Sequence, residues 1–315
     1  MNEILYDEKT LMHGKYPEIR KLGVCGINGE MTPFVWKGRL MRMELMDPSF
    51  GTKIDMETQG AAIRDVETGE IVSPIVANDL YFHSAYVEDE TLYILGVKRM
   101  SRDTIRIYET TDLINWKDRD LLTNPGWTYF NTGLTKGPDG YVIIIEAGEP
   151  EKHVEGAKGF THFFATSPDM KTWTHLDPTR YSLPTDRYQG GPWLRYSDGW
   201  YYAFAVEWLP GRIFTNYIFR TKDFENWYTG SYNPVLMPSN EDKIISPRGK
   251  ALLDDATLNR IETAYNINNS DIDMCDWNGK VYINYLCGNQ LCFYWMCEAE
   301  ADGTVADFLK SFFEQ

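Results

Sequence analysis

The chain has 315 residues, of which 43% are hydrophobic and 14% aromatic, enough apolar material for a large folded core. Its formal net charge of −15 opposes binding to nucleic acid phosphates or anionic lipid, because like charges repel. No apolar run is long enough to span a membrane, and no basic segment followed by an apolar run opens the sequence. The five cysteines form no CxxC pair, which favours reduced thiols over a zinc site. We therefore expect a soluble, cytoplasmic protein.

A seven-residue pattern occurs three times: Ser or Thr, any residue, Asp, any three residues, then Trp. The copies are residues 110–116, 167–173 and 221–227. Each copy follows a run with the composition of a β-strand. The Ser/Thr and Asp side chains can accept hydrogen bonds from free backbone N–H groups, while the Trp covers the sheet. The pattern therefore predicts a strand, a tight turn and a returning strand.

A second pattern separates these turns: an apolar strand, a turn with Gly or an acidic residue, and an aromatic-rich strand. Its five copies lie near residues 30–46, 83–98, 131–148, 189–208 and 271–290. Three of the turns contain Asp-Gly or Asn-Gly, which are strong hairpin signals. A repeat of about 50 to 60 residues is typical of propeller blades. We therefore expect an all-β fold, a five-bladed β-propeller forming a single domain over residues 1–315, with Thr304 capping a short helix in the last repeat.

Polar residues at the ends of these strands form a candidate site. In a propeller, the start of each innermost strand and the end of the strand after it lie on the same face. The residues at these places are Glu30, Glu44, His83, Lys98, Asn131, Glu146, Gln189, Glu207, Asp271, Asp273, Asn289 and Gln290. Glu146 and Glu207 each follow an apolar run, so burial should raise the pKa of both. Each acid also has a plainer interpretation, as a loop cap or as half of an ion pair.

His83 has three interpretations: a catalytic base, a metal ligand or a core histidine. Asp271 and Asp273 could surround a channel ion such as Ca²⁺ together with His83, but no loop has calcium-loop spacing. The sequence therefore predicts no cofactor and leaves a metal open.

The hairpins and their Ser/Thr-x-Asp-x-x-x-Trp outer turns resemble the five-bladed β-propeller glycosidases, the group around glycoside hydrolase families 43, 32 and 130. In family 43, a base Asp opens the inner strand of blade 1, a modulating Asp opens blade 3, and an acid Glu opens blade 4. By position these fall near Glu30 before "MTPFV", on Asn131 in "FNTGL", and on Gln189 or Gly190 in "YQGGPWL". Only one of the three carboxylates is present, so the resemblance implies a divergent branch.

The leading hypothesis is an exo-acting, inverting glycoside hydrolase on short oligosaccharides. Inversion needs two carboxyl groups about 6.5–9.5 Å apart. We expect Glu207 as the acid and Glu30 as the base, with Glu146 and Asp271 as alternates. The remaining predicted contacts to substrate are His83, Asn131, Gln189, Asp273 and Gln290 for sugar hydroxyls, Trp208 for a ring face, and Arg187 as a further substrate-binding residue.

Two other functions stay open. A glycoside phosphorylase would need cationic groups for phosphate, and Lys98, Arg99 and Arg187 are the candidates. A non-catalytic glycan-binding propeller would have acids that are ion-paired or widely spread. In each case the expected partner is a glycan, with neither nucleic acid nor membrane involved, and the oligomeric state is left open.

Overall fold

The structure, a computed structural model, describes residues 17–27, 29, 31–46, 59–291 and 293–313. The predicted base, Glu30, lies outside the described residues. Within these ranges the chain is mostly β-strand, with a few short helices. In this part of the chain, no helix has the length and apolarity needed to cross a membrane.

The strands follow one another with short connections. In chain order they are β1 Arg20–Gly26, β2 Met31–Trp36, β3 Arg39–Met46, β4 Gly60–Asp65, β5 Leu80–Glu88, β6 Thr91–Lys98, β7 Thr104–Thr110, β8 Lys117–Thr123, β9 Thr128–Gly137, β10 Gly140–Gly148, β11 Thr161–Ser167, β12 Thr174–His175, β13 Gln189–Ser197, β14 Trp200–Leu209, β15 Ile213–Thr221, β16 Tyr228–Thr229, β17 Asn268–Trp277, β18 Lys280–Gly288 and β19 Tyr294–Asp302. The helices are α1 Pro247–Leu252, α2 Asp255–Thr263 and α3 Val305–Ser311, and 3₁₀ turns cover Pro150–Lys152 and Asn240–Lys243.

Each predicted hairpin is present as an antiparallel strand pair: β2–β3, β5–β6, β9–β10, β13–β14 and β17–β18. Among the described residues, the sheets run β2-β3-β4, β5-β6-β7-β8, β12-β11-β10-β9 and β1-β19-β18-β17-β15-β14-β13, with β16 beside β15. The largest sheet contains two hairpins because β15 and β17 pair in parallel, Phe214 with Asn268 and Thr215 with Asn269.

The first strands of the five hairpins meet around one cavity. β2, β5, β9, β13 and β17 all contribute to the lining of a space of about 350 Å³. They contact one another in the cyclic order β2, β5, β9, β13, β17 and back to β2. The hydrophobic core lies between neighbouring sheets, as where Val142 and Ile144 of β10 pack with Leu194 of β13. This packing brings the starts of distant strands close together.

The outer turns have the hydrogen bonds that the seven-residue pattern predicts. Thr110 Oγ1 accepts from the Leu113 N–H at 3.0 Å, and Asp112 Oδ1 accepts from the Asn115 N–H at 2.8 Å. The Trp116 indole donates to the Leu113 carbonyl at 3.2 Å. The Ser/Thr and Asp bonds recur in the turns at 167–173 and 221–227. The pattern is therefore a self-satisfied turn, and its prediction is confirmed.

The last repeat ends in a helix, as predicted. Thr304 Oγ1 accepts from the Asp307 N–H at 3.1 Å and caps α3, whose residues Val305, Phe308 and Leu309 are buried. The sequence reasoning missed β1, which pairs with β19 from the other end of the chain. A strand whose partner lies almost the whole chain away leaves no local signal of its pairing.

Candidate functional site

Glu146 lies near the end of β10 and is 3% exposed. Asn131 of β9 donates Nδ2 to its Oε2 at 2.8 Å, and the Gly191 N–H of β13 donates to the same oxygen at 3.1 Å. Burial raises the pKa of Glu146 to about 7, and the nearby Asp271 carboxyl adds to this rise, although both hydrogen bonds favour the ionised form. A carboxyl with this pKa is protonated in a large fraction of molecules near neutral pH.

Asp271 lies near the start of β17, where the pairing with β18 shifts register between Ser270 and Asp273. Its φ of 48° is in the left-handed region, which L-residues rarely adopt. The irregularity redirects the side chain, and Ser270 Oγ donates to Oδ2 at 2.5 Å. Burial raises the pKa of Asp271, and the Ser270 bond opposes that rise.

Gly191 stands between the two acids. Its N–H donates a hydrogen bond to Glu146. A Cβ at this position would lie 2.8 Å from Asp271 Oδ1 and 2.8 Å from Val206 Cγ2. The φ of Gly191 is +50°, so glycine suits both the backbone conformation and the space. A Cβ on the neighbouring Gly190 would lie 3.2 Å from Glu146 Oε1 and 2.8 Å from the Tyr188 hydroxyl, so both atoms lie against this glycine. Two carboxyl groups, a phenol and two glycines therefore form one compact site.

Glu207, the predicted acid, belongs to a different group of contacts. It is 6% exposed, with Gln189 Nε2 at 3.5 Å and Arg187 Nη1 at 3.7 Å. Burial raises the pKa of Glu207, and the Arg187 charge opposes the rise. Gln189 is fully buried, and its Oε1 has no hydrogen-bond partner among the described residues.

His83 and Asp273 belong to the inner strands β5 and β17. His83 is buried, with Nε2 3.0 Å from the Ala77 carbonyl oxygen, and burial lowers its pKa to about 4. The imidazole is therefore neutral near physiological pH, in line with the core-histidine interpretation. Asp273 lines the channel and accepts from the Trp193 indole at 2.5 Å and from the Met274 N–H at 2.7 Å. Burial raises the pKa of Asp273 to about 7.

Trp208 and Gln290 are both exposed. The Trp208 indole is 57% exposed and lies parallel to the Phe214 ring, with centroids 6.0 Å apart. Gln290 Nε2 donates to Asn268 Oδ1 at 2.8 Å, and Gln290 Oε1 accepts from the Tyr294 hydroxyl at 3.1 Å.

A row of aromatic side chains lies beside Glu146, here called the aromatic rim; sequence reasoning named Trp208 as a sugar platform but missed the other members. Consecutive ring centroids are 4.8 to 6.0 Å apart along Phe82, Phe130, Phe160, Tyr188, Phe214 and Trp208. A signal was present in the sequence, since four of these residues directly adjoin a predicted site residue: His83, Asn131, Gln189 and Glu207. Aromatic faces of this kind suit the flat apolar faces of sugar rings.

Within the described ranges, no cluster of three or more His, Cys, Asp or Glu side chains is arranged to hold a metal ion. The hydrogen-bond donors to Glu146 and Asp271 are neutral groups. Asn131 and Gly191 donate to Glu146, and Ser270 donates to Asp271.

No protein-family model and no curated protein matches this sequence. Solved structures do match it over nearly its whole length. The protein BT0996, solved as an RGII complex, has a TM-score of 0.62 at 13% identity, and the match covers 93% of this sequence and 94% of that one. A thermostable family-43 glycoside hydrolase has a TM-score of 0.60 at 10% identity, over 89% and 91% of the two sequences. The Bombyx mori GH32 β-fructofuranosidase BmSUC1 has a TM-score of 0.58 at 11% identity, over 92% and 63%.

At these identities the similarity establishes the fold. The expected fold is confirmed: the chain has the fold seen in enzymes of glycoside hydrolase families 43 and 32.

Proposed function

We propose that this protein is a glycoside hydrolase, built as a single five-bladed propeller domain and acting in the cytoplasm on the ends of short oligosaccharides. The fold it shares with family 43 and family 32 enzymes supports the general class. The cyclic contacts of the five inner strands around one cavity support the five-bladed arrangement. The carboxyl pair Glu146 and Asp271 supports the chemistry.

One observation carries this proposal. Glu146 and Asp271 lie against the same glycine, Gly191, and neither forms an ion pair with a Lys, Arg or His among the residues that the structure describes. Glu146 is buried and Asp271 is half-buried. Structural carboxylates in such places are normally neutralised by a cation, because a charge removed from water without a partner is costly. Two acids left without a counter-charge beside each other are typical of an acid–base site.

The two acids differ in their hydrogen bonds, and we assign their roles accordingly. Burial holds the pKa of Glu146 near 7, so it is the general acid that donates a proton to the oxygen of the departing group. Asp271, whose Oδ2 accepts the Ser270 hydroxyl, is the general base that takes a proton from water. That water attacks the anomeric carbon as the glycosidic C–O bond breaks, and the configuration inverts.

The aromatic rim supplies the sugar-binding surface of this proposal. Tyr188 belongs to the rim and also lies beside Glu146 Oε1, which joins the aromatic surface to the proton donor. A sugar ring resting on Phe160 and Tyr188 would have its glycosidic oxygen near Glu146. We therefore replace Glu207 with Glu146 as the preferred acid, and place Glu207 and Arg187 at the edge of the substrate site.

The two alternative functions have less support. Of the three cations considered for phosphate, Lys98 has Asp120 at 3.3 Å, and Arg187 has Asp186 at 3.0 Å. A non-catalytic propeller would have ion-paired or scattered acids, whereas Glu146 and Asp271 lie against the same glycine and neither forms an ion pair among the described residues.

The proposal is tested with Glu146→Gln, Asp271→Asn and Glu207→Gln, assayed on a panel of aryl glycosides and short oligosaccharides. We expect the first two variants to lose about 10²-fold or more in kcat, as removal of a general acid or base does, while glycan binding is retained. Glu207→Gln should keep most of its activity. The anomer released, followed by NMR, should be inverted. Full activity in Glu146→Gln would remove Glu146 as the acid, and retention of configuration would contradict Asp271 as a base.

A further inference from the structure

Two arginines lie at one edge of the aromatic rim, in the loop that follows β6. The guanidinium carbon of Arg102 is 4.2 Å from the Phe130 ring centroid and 5.3 Å from that of Phe82. Arg99 and Arg102 also share one ring, since their guanidinium carbons are 4.4 and 5.5 Å from the Tyr81 centroid. Two like charges are thus held on the same aromatic surface, where they repel each other.

These guanidinium groups have unused donors. Arg99 donates Nη2 to the Gln59 carbonyl at 2.8 Å, and Arg102 donates Nε to the Tyr129 carbonyl at 3.2 Å. Arg99 Nε, Arg99 Nη1 and Arg102 Nη2 are buried and have no hydrogen-bond partner among the residues that the structure describes. Neither arginine forms an ion pair with any carboxylate in the described ranges, although the adjacent Lys98 does so with Asp120. Buried donors without partners are costly, and they are uncommon unless a ligand uses them.

Arg102 is also electrostatically connected to the proposed acid. Burial lowers the pKa of Arg102, and the negative charge of the Glu146 carboxylate is among the effects that oppose this, so the two side chains are within electrostatic reach of each other. The structural connection is short, because Phe130 lies under the Arg102 guanidinium and Asn131, the next residue, donates to Glu146. A group bound at Arg102 would therefore be part of the same substrate that meets Glu146.

We infer that Arg99 and Arg102 bind the carboxylate of an acidic sugar unit in the substrate, so that the preferred substrates are glycosides containing a hexuronic acid. This inference rests on the proposed glycosidase function. A uronic acid offers a flat ring for the aromatic rim and a planar carboxylate for the guanidinium fork. A carboxylate carries one negative charge, so the net charge of −15 repels it less than it would repel inorganic phosphate.

The test is calorimetric binding to Glu146→Gln, which separates recognition from turnover. The probes are a hexuronic acid glycoside, its neutral hexose counterpart and inorganic phosphate. We expect the uronate to bind more tightly than the neutral sugar, and Arg102→Ala to weaken uronate binding about 10- to 100-fold, as for a lost charge-assisted hydrogen bond. Neutral-sugar binding should be unchanged. Arg102→Lys keeps the charge but not the planar fork, so its affinity for the uronate should lie between those of the protein with Arg102 and of Arg102→Ala.

Arg220→Ala is the matched control. Arg220 also lies over two rings, Trp200 at 4.3 Å and Phe313 at 4.4 Å, and its Nε is also buried without a partner. It belongs to β15, outside the aromatic rim, so uronate binding should not change. Circular dichroism shows whether each variant is folded. If Arg102→Ala does not fold, the uronate affinity of Arg102→Lys provides the test.

The outcomes separate this inference from the proposed function. Equal binding of acidic and neutral sugars, or equal weakening of both by Arg102→Ala, overturns the acidic-sugar site. Phosphate binding that depends on Arg102, together with phosphate-dependent cleavage, also overturns it in favour of phosphorolysis. If Glu146→Gln cleaves normally while uronate binding still depends on Arg102, the acid assignment fails and the uronate site stands.

Discussion

Glu44 and Glu146 are the same residue type at comparable places, near the end of the second strand of a hairpin, and both are buried, at 1% and 3% exposure. Their surroundings differ in charge. Glu44 Oε1 accepts from Arg42 Nη2 at 2.6 Å and from Arg64 Nε at 2.9 Å. Burial works against its ionisation, but the two arginines outweigh burial and lower the pKa of Glu44. The close donors to Glu146 are a neutral amide and a neutral backbone N–H, so burial prevails and the pKa rises.

The comparison shows that depth alone does not decide what a buried acid does. A carboxylate neutralised by two guanidinium groups is a fixed ion that holds β3 and β4 together. A carboxyl with neutral donors can exchange a proton close to neutral pH. The predictions below test this difference, beginning with the largest expected effect.

Removing the charge of each acid should affect stability very differently. Glu44→Gln leaves the buried Arg42 without its full counter-charge, which should lower the free energy of unfolding by about 3–5 kcal/mol. Glu146→Gln replaces a carboxyl that is already largely neutral, so it should cost far less. Urea unfolding of both variants at pH 6 measures the difference. Equal losses would contradict the distinction between the two acids.

The pH dependence of stability should carry the signature of the raised acids. The pKa of Glu146 and that of Asp273 are each raised to about 7, from ordinary values of 4.5 and 3.8, so the contribution of each group is complete below its ordinary value and is lost as pH rises through 7. Each group should account for on the order of 3 kcal/mol across that window. Unfolding free energies from pH 4.5 to 8 should decline less steeply in Glu146→Gln. An unchanged slope would mean that Glu146 titrates at an ordinary value.

Gly191→Ala should reduce catalysis by displacing Asp271. The added Cβ would lie 2.8 Å from Asp271 Oδ1, and a misplaced reacting group of this kind costs about 10²-fold in rate. Gly199→Ala is the control, because Gly199 also has a positive φ, +80°, but no atom within 4 Å of its Cβ position. That variant should lose about 1 kcal/mol of stability and no activity per folded molecule. Similar kcat values for the two variants would argue against the placement of Asp271.

Asn131→Ala should produce the smallest effect, a shift of the pH–rate profile. The Asn131 amide favours ionised Glu146, so its removal should raise the pKa of Glu146 and move the alkaline limb upward by about one unit. Asn226→Ala, which alters an outer turn beside Asp223, should leave the limb in place. Movement of the limb to lower pH would contradict the role given to Asn131.

Most of the fold was accessible from the sequence because its signals are local. Turn glycines and the Ser/Thr-x-Asp pattern specify bonds between residues two or three positions apart, as between Asp112 and Asn115. The parallel contact of β15 with β17 and the pairing of β1 with β19 depend on segments far apart in the chain, so no local pattern revealed them.

The site was predictable as a set of residues but not as a geometry. Strand-end reasoning found Glu146, Asn131 and Asp271, which the structure brings together around Gly191. It preferred Glu207 because the sequence does not reveal that Arg187 and Gln189 are its neighbours. It also placed Glu44 among the candidate strand-end residues with Glu146, since the cross-strand partner Arg64 becomes visible only with the register of β3 and β4.

The most direct test of the central claim is an NMR titration of the protein labelled with ¹³C at the glutamate carboxyl carbons. We expect one glutamate resonance that titrates near pH 7 and is missing from the spectrum of Glu146→Gln. The Glu44 resonance should titrate below the usual range of a glutamate. A Glu146 resonance that titrates between about pH 4 and 5 would show an ordinary carboxylate at this position and would contradict its assignment as the proton donor.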